Sequence, residues 1–244
     1  MRVDAARLHY RELNERVRQA AAAGEKELIL DNVNGQRYLG TGLGGGLRIT
    51  INGVPGNDLA AFMDGAEITV NGNAQDGVGN AMNRGAVIVR GNAGDIVGYS
   101  MRGGRIFVKG DVGYRVGIHM KSYGERFPVV IAGGTARDFL GEYMAGGVLV
   151  VLGLTSPGGE PVTGNRVATG MHGGVLYVRG QVEDHQLGKE VGRSEISDGD
   201  WDALTRWLAE YSEAVGLDAT GLRREEFVKL TPQSRRPYGN LYAY

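Results

Sequence analysis

The 244-residue sequence contains no cysteine. That absence excludes disulfides, cysteine-ligated zinc, iron–sulfur clusters held by this chain and a thiol nucleophile. Charge of one sign is not in excess either: 27 Lys and Arg face 28 Asp and Glu. No basic surplus points to nucleic acid, and no charge block points to a disordered tail. No run approaches the roughly 18 apolar residues that a membrane helix needs, and the N-terminus has no apolar signal region. The expectation is a soluble cytoplasmic protein with neither membrane nor nucleic acid as partner. Proline is scarce, at 6 residues, and no Gly-x-y period occurs, so collagen-like and low-complexity classes also fall away.

Glycine is what the chain has in excess. Its 42 glycines are roughly 17% of the residues, against an ordinary share of about 7%. They recur in phase. Ile-Thr-Val-Asn-Gly72, Val-Ile-Val-Arg-Gly91 and Ile-Phe-Val-Lys-Gly110 end 19 residues apart. Each opens a pattern Gly-x-x-Gly-x-x-x-Gly, complete at Gly91, Gly94, Gly98 and at Gly110, Gly113, Gly117; the Gly72 copy has Gln75 in the middle place. Ten residues after each opening glycine stands a methionine: Met82, Met101, Met120. Further copies end at Gly53, Gly133, Gly153 and Gly180, with Met63, Met144 and Met171 in the same column.

A repeat this short cannot hold two helices. Its β-branched runs read as strands and its glycines as corners that need positive φ. The predicted fold is therefore all-β: a single-stranded right-handed parallel β-helix of about seven coils with flanking helices. Each coil advances about 4.8 Å around a perimeter on the order of 60 Å. The methionines then form one internal ladder.

The chain divides into an N-terminal capping helix (1–26), the β-helix (27–185) and a C-terminal helix with an extended tail (186–244). Residues 4–23 read as a helix capped by Asp4 and ended by Gly24, covering the open end of the solenoid. Insertions of about four residues at 121–128 and about eight at 155–165 are expected to protrude and touch partners. Residues 198–215 form a second helix, capped by Asp198 or Asp200, with Leu204, Leu208, Tyr211 and Val215 on its apolar stripe. A short helix is expected around Leu222–Val228. The segment Thr231–Tyr244 reads as an arm docking on this chain or on a partner.

Candidate chemistry is thin. His9, His119, His172 and His185 lack carboxylates at ligand spacing, so surface or corner positions suit them better than a metal site. Asp58, Asp76, Asp95 and Asp138 make a second column, interrupted by Arg115, that reads as backbone-bonding turn residues. Gly40-Thr-Gly42-Leu-Gly44-Gly45-Gly46 resembles a phosphate loop, but a strand-like segment follows it where such a loop needs a helix. Ser100 does not lie in a Gly-x-Ser-x-Gly elbow. No catalytic, cofactor-binding or metal residue is assigned.

The copies GNAQDGVGNAMNRGAVIVRGNAGDIVGYSMRGGRIFVKG, GGTARDFLGEYMAGGVLVVLG and GNRVATGMHGGVLYVRG resemble the C-terminal GXGXG β-helix domain of the glutamate synthase large subunit. A related β-helix is a component of formylmethanofuran dehydrogenase and of its formyltransferase/hydrolase counterpart. The resemblance spans about residues 28–182. It implies a non-catalytic scaffold subunit of a split glutamate synthase or N-methylglutamate synthase. That subunit would hold a class II glutamine amidotransferase subunit against an FMN-binding glutamate synthase subunit for ammonia transfer. It further implies that FMN and an iron–sulfur cluster reside in the partner subunits and none in this chain. A homo-oligomer, the β-helical component of a formylmethanofuran-type complex and an independent hydrolase remain alternatives at this point.

Overall fold

The structure, a computed structural model, describes residues 1–156 and 160–233. Among these described residues nine parallel strands pile up in chain order: β1 (Arg2–Asp4), β2 (Glu27–Asn34), β3 (Arg48–Val54), β4 (Asp64–Asn71), β5 (Arg84–Val89), β6 (Gly104–Val108), β7 (Pro128–Ala132), β8 (Ala145–Val151) and β9 (Gly173–Arg179). The expected parallel β-solenoid is present. Its register matches residue to residue across coils: Ile49 pairs with Ile68, Ile68 with Val87 and Val87 with Ile106. Met63, Met82, Met101, Met120, Met144 and Met171 are all fully buried, so the methionine column is an internal ladder.

Both ends of the pile differ from expectation. Arg2–Asp4 is strand β1, not the first turn of a helix. Helix α1 (Tyr10–Ala22) is capped by His9, whose side chain accepts from the backbone N–H of Arg11. Asp4 instead accepts from Ala6 N–H within a turn. Leu13, Val17 and Ala20 of α1 pack into the first coil and close the core at that end. At the far end, the expected helix near Leu222 is only a 3-10 turn, Arg224–Glu226. Two further strands follow β9 in the chain, β10 (Val191–Ser194) and β11 (Phe227–Pro232). Strand β11 pairs antiparallel with β9, and β10 pairs antiparallel with β11. Reversing direction ends the growth of the stack, because a short antiparallel strand offers no template for another coil.

A buried glutamine pins each end. Gln36 donates to the carbonyls of Ala5 and Leu8, and its oxygen accepts from Asn34 N–H. Gln186 donates to the carbonyls of Thr163 and Gly164 and accepts from Glu183 N–H. Each satisfies backbone groups that no further coil is there to pair.

Helix α2 (Asp198–Val215) has the expected bounds, but Ser197 caps it, with the Asp200 carboxylate accepting from Ser197 N–H in return. Its place is dictated by the outer faces of the strands. Through the stack one outward column reads Ile29, Thr50, Thr69, Ile88, Phe107, Ile131, Val150, Tyr177. It is polar at β3 and β4 and apolar from β5 onward. Leu204, Leu208, Tyr211 and Val215 bury against Phe107, Ile131, Val150 and Tyr177 in a second core outside the solenoid. Strands β7 and β8 are thus covered on both faces and lose the in–out alternation.

The C-terminal cap and α2 are latched together by one carboxylate. Asp200 receives Lys229 Nζ at 2.6 Å and the Tyr177 hydroxyl at 3.2 Å. Desolvation pushes this carboxyl upward, and the hydrogen bonds from Lys229 and Ser197 together overcome it, leaving it well below the ordinary carboxylate range. A depressed folded-state value contributes stability above the unfolded value, and that stability is lost as pH falls through the folded one. We expect Asp200→Asn to cost about 2 kcal/mol at pH 7, because Lys229 is left without its counterion. The difference from the parent chain should shrink as acid neutralises Asp200. Urea midpoints at pH 7 and pH 3 measure it, and equal differences at both would refute the latch.

Of the two insertions, 121–128 folds back at its end: Phe127 stacks on Trp207 of α2, and Arg126 reaches the side-chain oxygen of Asn83. Thr155 in the second donates to the Asp111 carboxylate. The C-terminal arm beyond Gln233 lies outside the described residues.

Candidate functional site

The corner preceding each methionine is where this solenoid departs from ordinary β structure. Three alternate residues per coil adopt positive φ. In the fifth corner they are Arg115 (+56°), Gly117 (+72°) and His119 (+55°); in the sixth, Phe139 (+64°), Gly141 (+68°) and Tyr143 (+52°). The first slot holds Tyr38, Asp58, Gly77, Ile96, Arg115, Phe139 and Arg166 in successive coils. The third holds Gly42, Phe62, Ala81, Ser100, His119, Tyr143 and Gly170. The middle slot is always glycine or alanine.

The alternation has a hydrogen-bonding reason. First- and third-slot N–H groups donate toward the next coil, as in Arg115 to Asp138 and His119 to Glu142. The middle N–H donates back to the coil before, as in Gly117 to Val97. Each left-handed residue flips the direction of its peptide, so a turn that would leave orphan groups is fully paired between coils. The residues between slots, Val97, Val116 and Leu140, point into the core. The middle residue also faces inward. A Cβ on Gly117 would stand 2.9 Å from Leu149 Cδ2.

For the glycines that open the pattern the expectation of positive φ holds at Gly53, Gly153 and Gly180, but four glycines of the regular copies have another cause. Gly91, Gly94, Gly110 and Gly113 are not left-handed. They are small because a Cβ on Gly94 or Gly113 would overlap the carboxylate of Asp76 or Asp95 in the coil below. Those carboxylates climb the corner. Asp76 accepts from Asp95 N–H, Asp95 from Tyr114 N–H and Asp138 from Asn165 N–H, at 2.8–2.9 Å. The column is therefore Asn57, Asp76, Asp95, Tyr114, Asp138; Asp58 and Arg115 lie one residue off it, in the left-handed slot. A parallel column, Asn73, Asn92 and Asp111, does the same for Asn92, Asp111 and Thr135. Desolvation raises the Asp111 carboxyl, but donation from Thr135 N–H and the Thr155 and Thr135 hydroxyls outweighs it, so its value falls below normal. These are backbone-bonding residues, as expected.

The outward side of the corner is aromatic. Tyr99 meets the His119 ring edge-on at 6.1 Å, and His119 stacks on Tyr143 at 5.3 Å. Arg115 and Arg166 lie over the Phe139 ring, at 4.5 and 5.8 Å. Arg115 also pairs with the mostly buried Glu142 at 3.1 Å. Phe62, 57% exposed, ends the row toward the N-terminus. The sequence reading misses this row. Its one signal is an aromatic or histidine directly before the ladder methionine, at Phe62, His119 and Tyr143.

The other singled-out residues separate. His9 caps α1, His185 sits exposed in the 3-10 turn after β9, and His172 bonds the Gly170 carbonyl. Among the described residues no group of three or more His, Asp or Glu is placed to hold a metal. Gly40 and Gly42 are second and third slots of the first corner, and β3 follows them, so they form no helix-opening loop. Ser100 and His119 occupy the same slot in adjacent coils, yet among the described residues neither side chain makes a hydrogen bond, and His119 has no orienting carboxylate. Nor is any helix among them long and apolar enough to cross a membrane.

These features define a class: a parallel β-solenoid whose corner repeats three left-handed slots in every coil. The chain belongs to the GXGXG motif family, the glutamate synthase-type domain, whose model matches residues 25–227. It is also 42% identical over 248 residues to MJ1350, an uncharacterized protein of Methanocaldococcus jannaschii, across 98% of this chain and 95% of that relative.

Proposed function

We propose that the chain is a non-catalytic scaffold subunit of a glutamate synthase-type complex. It holds a class II glutamine amidotransferase subunit against an FMN-binding synthase subunit, so that ammonia passes between them. FMN and an iron–sulfur cluster belong to the partners on this reading. One observation supports it above the rest. Every corner from Asp58 to Phe139 is hydrogen-bonded to its neighbours in both directions along the stack. Such a body transmits position with little give, which is what fixing two active sites requires. The family membership is the second support.

The test is reconstitution with the two partner subunits. With this chain present, glutamine-dependent glutamate formation should rise by roughly tenfold or more, while the ammonia-dependent rate changes little. Absence of a ternary complex on gel filtration, together with unchanged glutamine-dependent rates, would overturn the reading.

A further inference from the structure

The outward columns of the left-handed corner complement themselves when one is run backwards against the other. From the second coil to the seventh, the third slot holds Phe62, Ala81, Ser100, His119, Tyr143 and Gly170. Reversal sets Phe62 against Gly170, Ala81 against Tyr143 and Ser100 against His119, so every ring faces a small residue. The first slot holds Asp58, Gly77, Ile96, Arg115, Phe139 and Arg166. Reversal there sets Asp58 against Arg166 and Gly77 against Phe139, an opposite charge and again a ring on glycine. Asp58 accepts from the Asn80 amide and Arg166 lies over the Phe139 ring, so neither has an opposite charge of its own among the described residues.

We propose that two copies of this chain pack corner to corner and antiparallel, about a twofold axis that crosses the face between the coils of Ser100 and His119. An isologous contact needs a surface that is its own complement. Both copies climb at the same rise, about 4.8 Å per coil, so a match at one coil holds across all six, about 24 Å from first to last. The rings at the two ends of the face are open to such a contact: Phe62 is 57% exposed and Tyr143 37%. A Cβ on Gly170 would overlap the Tyr143 ring, so that ring leans over Gly170, and Phe62 of the second copy meets it there.

Two like-charge meetings oppose the contact. Asp76 faces Asp138, but each already accepts a backbone N–H of the next coil. Arg102 and Lys121 stand in the column just beyond the ladder methionines and also face each other; exposed heads on long stems swing apart into water. Against these stand two copies of the Asp58–Arg166 pair and of each ring-on-small contact, since the axis repeats every one. A surface shaped for an unrelated protein has no reason to match its own reverse. A dimer of this kind is independent of the scaffold reading.

Sedimentation velocity over about 1–100 µM spans the affinities of interfaces at the small end of the usual range. The parent should pass from monomer to dimer within it. Asp58→Arg and Arg166→Asp should each weaken self-association by about tenfold or more, because both symmetric contacts then join like charges. The fold accepts either change, since arginine already holds the first slot at Arg115 and Arg166, and aspartate holds it at Asp58; far-UV circular dichroism checks this. An equimolar mixture of the two variants should associate about as tightly as the parent, because each contact of the mixed dimer joins an arginine to an aspartate. Phe62→Ala should weaken association, and neither charge variant should restore it. A parent that stays monomeric throughout would overturn the proposal. So would a dimer that neither charge variant weakens, or a mixture no tighter than its components.

Discussion

Gly117→Val should lower stability by about 4 kcal/mol, a fall in Tm of roughly 8–16 °C for a chain of this size. Two costs add. At φ +72° a β-branched side chain is strained wherever it points. Here it also points inward, against Leu149, which is almost wholly buried. The two are separable. Ser100→Val places the same residue in a left-handed slot that faces outward, so only the backbone strain remains, about 1–2 kcal/mol. Gly117→Ala should fall near that value too, since Ala60 and Ala168 already occupy the middle slot of other coils. Shortening Leu149 to alanine in the Gly117→Val background should return part of the loss. A urea midpoint for Gly117→Val within about 1 kcal/mol of the parent would show that the middle slot is not closed to side chains.

That slot marks the limit of what the sequence displays. The strands, the methionine ladder and the parallel stacking follow from a 19-residue period, because every coil repeats the same inward residues. The left-handed slots do not show as a glycine pattern, since most corners put Ile96, Arg115, Phe139 or Tyr143 in the outer two. A non-glycine residue in that conformation is stabilised by its hydrogen bonds to the next coil, which a single coil's sequence does not encode. The aspartate column reads one residue off its true place for a related reason. Asp58 and Asp76 are not a full coil apart, and the residue that bonds Asp76 is Asn57.

The ends are harder still. Strand β11 is a lone segment with no repeat to identify it, and its antiparallel pairing with β9 depends on where α2 leaves the chain. The glutamines that pin each end, Gln36 and Gln186, are single polar residues, and the carbonyls they donate to lie more than twenty residues away. By contrast, the docking site of α2 is written in the strands. Thr50 and Thr69 give way to Ile88, Phe107 and Ile131 in the outward column. Runs such as Val-Val-Ile and Leu-Val-Val-Leu without alternation mean a sheet covered on both faces.

Tyr211→Ala should therefore detach α2, at about 3–5 kcal/mol. Tyr211 is fully buried, packs edge-on against Phe107 at 5.9 Å, and points its hydroxyl at the carbonyls of Val108 and Lys109, 3.4 Å away. Removing the ring leaves a cavity between helix and sheet. It also loosens the cover over Ile131 and Val150, so the variant should bind a hydrophobic dye and aggregate on warming while its β-rich far-UV spectrum persists. Tyr211→Phe keeps the packing and gives up only long hydrogen bonds, about 1 kcal/mol. Burial holds the phenols of Tyr177 and Tyr211 above their ordinary value. A raised folded-state value means full stability below the unfolded value and loss as pH climbs through the folded one. The parent chain should accordingly weaken above about pH 10, and Tyr211→Phe should weaken less steeply there. Should Tyr211→Ala instead melt within about 1 kcal/mol of the parent with no gain in dye binding, α2 would be held by its Asp200–Lys229 latch and not by the apolar face.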